Sequence, residues 1–196
     1  MLRKVPHDSG LRAIHRAEML GRRSFLKGAG VSLFIPSPVK ANSGGARRLS
    51  FDNLHTGEKL TVEYWIDGRY QPEALAAVNH LLRDFRTGQV HPIAPQLLDL
   101  VTVVRRRLET VAPVSVISGF RSPVTNAMLR SEHQHSGVAS KSLHMQGMAL
   151  DIRISGRSLA DLHNAALAQR GGGVGFYPQS GFVHVDVGRV RAWQGS

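Results

Sequence analysis

Apolar and polar positions follow two different periods along this chain, and the change from one to the other marks its elements. The stretch "LSFDNLHTGEKLTVEYWI" alternates at Leu60, Val62, Tyr64 and Ile66, with Thr56-Gly57 between its arms, and predicts a β-hairpin. From Pro72, "PEALAAVNHLLRDFR" places Leu75, Val78, Leu81, Leu82 and Phe85 at helical spacing. Pro72 suits a first helical turn, and Gly88 follows the end. "APQLLDLVTVVRRRLE" (Ala94 to Glu109) predicts a second helix, stopped by Pro113. Then come a buried strand "VSVISGF", a short helix "TNAMLR", a polar loop "SEHQHSGVASKS" and a strand "GMALDIRI". "SLADLHNAALAQR" is another amphipathic helix, ended by Gly171-Gly172-Gly173, and the short strands "VGFY" and "FVHVDVG" follow. This order predicts an α+β fold: a small, mainly antiparallel sheet with flanking helices. There is no internal repeat.

Length and composition narrow the picture. At 196 residues and 42% hydrophobic, the chain has room for one domain with a buried core, plus a tail. No run approaches the roughly 20 apolar residues of a membrane span. With no cysteine, disulfides and thiolate metal sites are excluded, so a transition metal would have to be held by His, Asp or Glu. The net charge of +11 divides into +6 up to Ala41 and +5 for the remainder. The body is thus moderately basic, which fits a solvated surface or an anionic polymer as partner. No nucleic-acid motif is present, so no nucleic-acid partner is expected, and the chain is expected to be a monomer.

The excess charge at the start has its own pattern. "GRRSFLKGAGVSLFIPSPVKA" (Gly21 to Ala41) sets Arg22-Arg23 before a short, glycine-containing apolar run and ends in a small-residue cleavage site. It resembles a bacterial twin-arginine export signal; the alternative is an ordinary basic helix start. Residues 1–41 are accordingly expected to be a signal peptide, 42–48 a flexible lead-in and 49–196 the folded domain. Export by that route would place the domain in the periplasm.

The candidate chemistry lies late in the chain. An ionised carboxylate in a packed strand is costly unless it is paired or bound to a metal. "MALDIRI" sets Leu150 and Ile152 on one face and Ala149, Asp151 and Arg153 on the other. Asp151 could simply pair with Arg153 on a solvated face. "FVHVDVG" sets Phe182, His184 and Asp186 on one face against Val183, Val185 and Val187. With His144 in "SLHMQG", the chain offers two imidazoles and one carboxylate on or beside late strands. Such a set holds a catalytic zinc with an open fourth position. Gly147 would let the backbone turn between His144 and Asp151.

"SLHMQGMALDIRI" resembles the Ser-x-His-x-x-Gly-x-Ala-x-Asp motif of the M15-type zinc peptidases, which share a fold with D-alanyl-D-alanine peptidases and the hedgehog signalling domain. "FVHVDVG" resembles the second metal motif of that group. "LHTGEKLTVEY", "NHLLRDFRTGQ", "ISGFRSPVTNAMLR", "GVASKSLHMQG" and "GGVGFYPQSGFVHVDVGRVRAW" resemble its exported branch, the domain of unknown function 882 or murein endopeptidase K-like proteins.

The resemblance implies Zn²⁺ on His144, Asp151 and His184, with Arg121 near a substrate carboxylate or developing oxyanion. It also implies hydrolysis of amide bonds in crosslinked peptidoglycan stems. Carboxypeptidase trimming of stems and a non-catalytic, zinc-containing murein-binding module are the rival readings. The sequence departs from many relatives in the second motif: Phe182 stands where they have the first His of His-x-His, and Gly181 where others have the Glu of Glu-x-x-His. Asp186 is therefore the first candidate for general base, its alternative being to orient a ligand imidazole. His133 and His135 are weaker candidates. Ser142 is either a support of the site or a turn residue. His55, His80, His91 and His163 are expected to be surface or capping residues.

Overall fold

In a computed structural model of the protein, residues 45–132 and 139–195 are described. The signal-peptide segment, residues 42–44 of the lead-in, and His133 and His135 lie outside the described residues.

The expected hairpin pairs β1 (Arg47–Asn53) with β2 (Lys59–Ile66), so the first strand begins inside the stretch expected as lead-in. At its turn, the Asn53 side-chain oxygen accepts the His55 and Thr56 amides at 3.0 and 3.2 Å. Next, Asp67 and Gly68 both take positive φ (48° and 85°) and turn β2 into a two-residue strand, β3 (Arg69–Tyr70). This is the chemistry of a two-residue hairpin turn.

Four helices follow the expected periods with shifted ends. α1 (Pro72–Leu81) stops short of Phe85 because Leu82 and Asp84 turn into the interior. α2 covers Pro95–Arg107, and α3 extends over Pro123–Glu132, longer than "TNAMLR". α4 (Leu159–Gln169) is capped by Ser158, whose hydroxyl accepts the Asp161 amide and donates to its carboxylate. It ends with Arg170 in a left-handed conformation, one residue before the glycine triplet.

The remaining strands are β4 (Val114–Ser118), β5 (Ala149–Ile154), β6 (Gly173–Tyr177), β7 (Phe182–Asp186) and β8 (Arg191–Gln194). Together the eight form one sheet in the order β3-β2-β1-β4-β5-β7-β6-β8. Five of its seven pairings are antiparallel, and β1·β4 and β6·β8 are parallel. The α+β expectation holds. β3 and β8, one at each edge, are additions to it.

α4 packs on β5, β6 and β7 and against α2, while α1 packs on β2. The core they enclose includes Leu49, Phe51, Leu97, Leu98, Val114, Leu150, Ile152, Val183 and Val185. Each such side chain contributes about 1.5–3 kcal/mol on full burial. Ile152 and Val183 pair in register, as do Leu150 and Val185, so the apolar faces of β5 and β7 are held together. The polar positions between them are held together by the same ladder.

Candidate metal centre

That ladder sets Asp151 directly opposite His184, and Ala149 opposite Asp186. Opposed residues hold their Cβ atoms roughly 5 Å apart, close enough for both side chains to reach one point. His144 arrives from a short 3₁₀ turn (Leu143–Gln146) just before β5. Ser142 begins this turn, its Oγ accepting the His144 amide at 3.3 Å, so it is a turn residue. Gly147 ends it at φ +65°, and a side chain there would collide with the Pro92 carbonyl.

Three atoms converge: His144 Nε2, His184 Nδ1 and Asp151 Oδ1. The two nitrogens lie 3.2 Å apart, and the oxygen lies 3.2 Å from the first and 2.9 Å from the second. All three side chains are buried. The outer partners fix the tautomers. His144 Nδ1 faces the Gly119 carbonyl at 2.8 Å, which can only accept, so Nδ1 carries the hydrogen and Nε2 presents a lone pair. His184 Nε2 faces Asp186 Oδ2 at 3.1 Å, leaving Nδ1 as its lone pair.

Three buried acceptors thus face one another, an arrangement that repels unless a positive charge sits among them. The electrostatics of the cluster carry the same pull. Burial lowers the His184 pKa, but its bonds to Asp151 and Asp186 outweigh this and lift it to about 9. Burial raises the Asp151 carboxyl, yet the two histidines hold it far below the usual carboxylate range. Two nitrogens and one carboxylate oxygen fit zinc with an open fourth position. No other such cluster occurs among the described residues.

Asp186 stands behind this centre. It is fully buried, and its Oδ1 accepts the Gly173 and Gly188 amides at 2.8 Å each and Arg191 Nη1 at 3.2 Å. Its Oδ2 accepts Arg191 Nη2 at 2.7 Å besides His184. Burial raises its pKa, but these donors outweigh burial and hold it well below the ordinary range. A carboxylate so saturated, at the ring nitrogen remote from the convergent atoms, supports the orienting reading over the base. The glycine triplet serves this packing too: a Cβ on Gly172 or Gly173 would collide with Asp186.

Arg121 reaches the other side, its Nη2 3.6 Å from Asp151 Oδ2 and 3.4 Å from Ser118 Oγ. Burial lowers its pKa, and the Asp151 charge works against that. Its turn is braced by Asp84, which sequence reasoning missed. Asp84 Oδ2 accepts the Ser122 amide at 2.8 Å and its Oδ1 the Arg86 amide at 2.9 Å. Gly119, whose carbonyl orients His144, lies so close to Leu82 that a Cβ would press on the Leu82 carbonyl.

The pocket over the centre has a volume of about 320 Å³. Arg121, Lys141 and Arg191 line it, with an aromatic wall of Tyr177, Phe182 and Trp193. Trp193 Nε1 donates to Tyr177 Oη at 2.8 Å, and Tyr177 stacks on Phe182. Trp193 comes from the unforeseen β8. Phe182 is part of this wall. Of the other histidines, His55 and His80 are exposed as expected, whereas His91 and His163 are half-buried and stacked on Phe120 and Phe176.

Comparison with known proteins adds three findings. Residues 41–193 match the family model described as peptidoglycan L,D-endopeptidase MepK, within the M15 peptidases. Peptidoglycan L,D-endopeptidase MepK of Escherichia coli strain K12 is 43% identical over 178 residues, covering 88% of this chain and 96% of that protein. A probable peptidoglycan L,D-endopeptidase MepK of Haemophilus influenzae is 39% identical over 180 residues, covering 89% and 96%.

Proposed function

Because this chain belongs to the M15 peptidase family of MepK, and is therefore a peptidase, we propose that it is an exported, zinc-dependent murein endopeptidase cutting amide bonds in crosslinked peptide stems. The observation that carries the zinc is the convergence of three buried lone pairs from His144, His184 and Asp151. When bound, zinc supplies Lewis acidity and makes hydroxide available near neutral pH.

The chain's own residues do the rest. His144, Asp151 and His184 hold the ion. Gly119 O and Asp186 fix the two imidazole rings, and Arg191 and the Gly173 and Gly188 amides hold Asp186 ionised. Arg121 is placed to bind a stem carboxylate or the oxyanion that develops as the amide is attacked. The cationic rim of Arg121, Lys141 and Arg191 suits stems that carry free carboxylates, and the aromatic wall suits their apolar parts.

Asp151 is the one carboxylate lining the pocket among the described residues, and it is a ligand. The proton acceptor is then sought at His133 and His135, the two remaining sequence candidates. The L,D bond type named for the relatives is the specificity we assign to this chain as well. Residues 1–41 direct it to the periplasm by the twin-arginine route; Arg22→Lys with Arg23→Lys should leave an uncut precursor in the cytoplasm, and normal processing would refute the route.

The deciding experiment is digestion of purified crosslinked muropeptides read by mass spectrometry, with and without chelator. Cleavage of the crosslink, stopped by chelator and restored by zinc, is expected. Release of terminal alanine alone would make the enzyme a carboxypeptidase, and binding without cleavage would make it a murein-binding module.

A further inference from the structure

A second site lies at the other end of the sheet. β1 and β4 run parallel, and the metal centre takes Gly119 and Arg121 from beyond the C-terminal end of β4. Thr110 precedes the N-terminal end of β4, and beside it a groove is lined by Arg48, Ser50, Thr102, Arg105 and Arg106. The five residues of β4 alone separate the two sites by roughly 17 Å.

Arg105 is the informative residue. It continues the buried stripe of α2 formed by Leu97, Leu98, Val101 and Val104, where an apolar side chain would pack at no electrostatic cost. It is 8% exposed. Its Nε has no hydrogen-bond partner, and its Nη1 reaches only the Arg48 carbonyl at 3.5 Å. No carboxylate pairs with it among the described residues, and burial alone lowers its pKa. Arg48 and Arg106 are exposed and form no ion pair among the described residues either, although Glu63 stands opposite Arg48 in the ladder. By contrast Arg47, which also lines the groove, is ion-paired with Asp99.

A buried guanidinium without a counter-ion is destabilising. Arg105, with the exposed Arg48 and Arg106 lining the same groove beside serine and threonine hydroxyls, matches the donor pattern that binds an oxyanion. We propose that this groove is an oxyanion site, remote from the catalytic pocket, that takes carboxylates of the murein peptide stems and so retains the enzyme on its polymer. The choice of murein rests on the function proposed above; the anion site itself does not.

The test is co-sedimentation of the purified protein with isolated sacculi in chelator, so that cutting does not interfere. Arg105→Leu restores the apolar stripe and should melt at or above the wild-type temperature. Arg48→Gln with Arg106→Gln changes only exposed side chains. Each variant should need about tenfold more sacculi for half-saturation, the loss expected for charge-assisted hydrogen bonds. Sacculi whose carboxyls have been amidated should bind wild type no better than the variants. Turnover of a small soluble crosslinked muropeptide should be unchanged in both variants. Equal binding of wild type and variants to native sacculi, or undiminished wild-type binding to amidated sacculi, overturns the proposal. So does variant-sensitive binding to anionic phospholipid vesicles in place of sacculi. If the wild type cleaved no muropeptide, the peptidase reading would fail while sedimentation still decided the groove.

Discussion

Replacing Asp186 by asparagine separates its two roles. The carboxylate receives three donors on Oδ1, from Gly173, Gly188 and Arg191, and two on Oδ2, from Arg191 and His184. Asparagine keeps one oxygen and turns an NH₂ toward at least two donors, whichever way the amide is flipped. It also leaves Arg191 without its counter-charge. Arg191 is 35% exposed, so water offsets part of its lost pairing, and the unmet donors around the buried Asp186 position bring the cost to about 3 kcal/mol. For a domain of this size that lowers Tm by roughly 10 °C. His184 loses the acceptor that fixes its tautomer, and zinc affinity should fall about 10- to 100-fold. At saturating zinc, the folded variant should recover most of its turnover. Calorimetry, zinc titration against a competing chelator, and turnover at high zinc read the three effects separately. A general base would give the opposite pattern: unchanged Tm and zinc affinity with turnover down about 10²–10⁴. That result would refute the orienting role.

Three other perturbations follow from the same geometry. Burial raises the Asp84 pKa, but bonds from Ser122, Thr125 and Arg86 outweigh it and lower it from 3.8 to about 2. The stability this confers, about 2 kcal/mol, is present above pH 4 and is lost as pH falls through 2; Asp84→Asn should lack that acid slope in urea titrations, and an unchanged slope would remove Asp84 from the account. Gly173→Ala should cost about 1–3 kcal/mol by overpacking and weaken zinc binding with it, whereas a wild-type melt would mean that the Asp186 cradle has slack. Arg121→Ala should keep zinc and fold while turnover falls about 10²–10³, and a loss under twofold would place Arg121 away from the reacting group.

What the sequence made legible follows the range of the interactions. His144, Gly147 and Asp151 lie within eight residues, and their spacing carries the turn and the strand that bring them together. Likewise, alternation in "FVHVDVG" assigns His184 and Asp186 to one face. It does not say which ring nitrogen His184 presents, and that detail decides between base and support. Asp84 was illegible because it extends the apparent polar face of α1, while its partner Ser122 lies 38 residues away. Arg191 and Trp193 were missed because β8 is a four-residue edge strand, "RAWQ", whose half-buried and exposed positions alternate while its apolar and polar residues do not. β3 was readable: Asp67-Gly68 between apolar runs is a hairpin signal.

The register of β5 against β7 has an evolutionary consequence. Side chains alternate faces, so a slip of one residue would send His184 and Asp186 into the core and Val183 and Val185 out of it. Hydrophobic sorting therefore aligns Asp151 with His184 before any metal arrives, and selection for foldability alone preserves the placement of two of the three donors. Descendants that abandoned catalysis would be expected to lose it through point changes at the ligands themselves, leaving the strand pairing as an inherited scaffold.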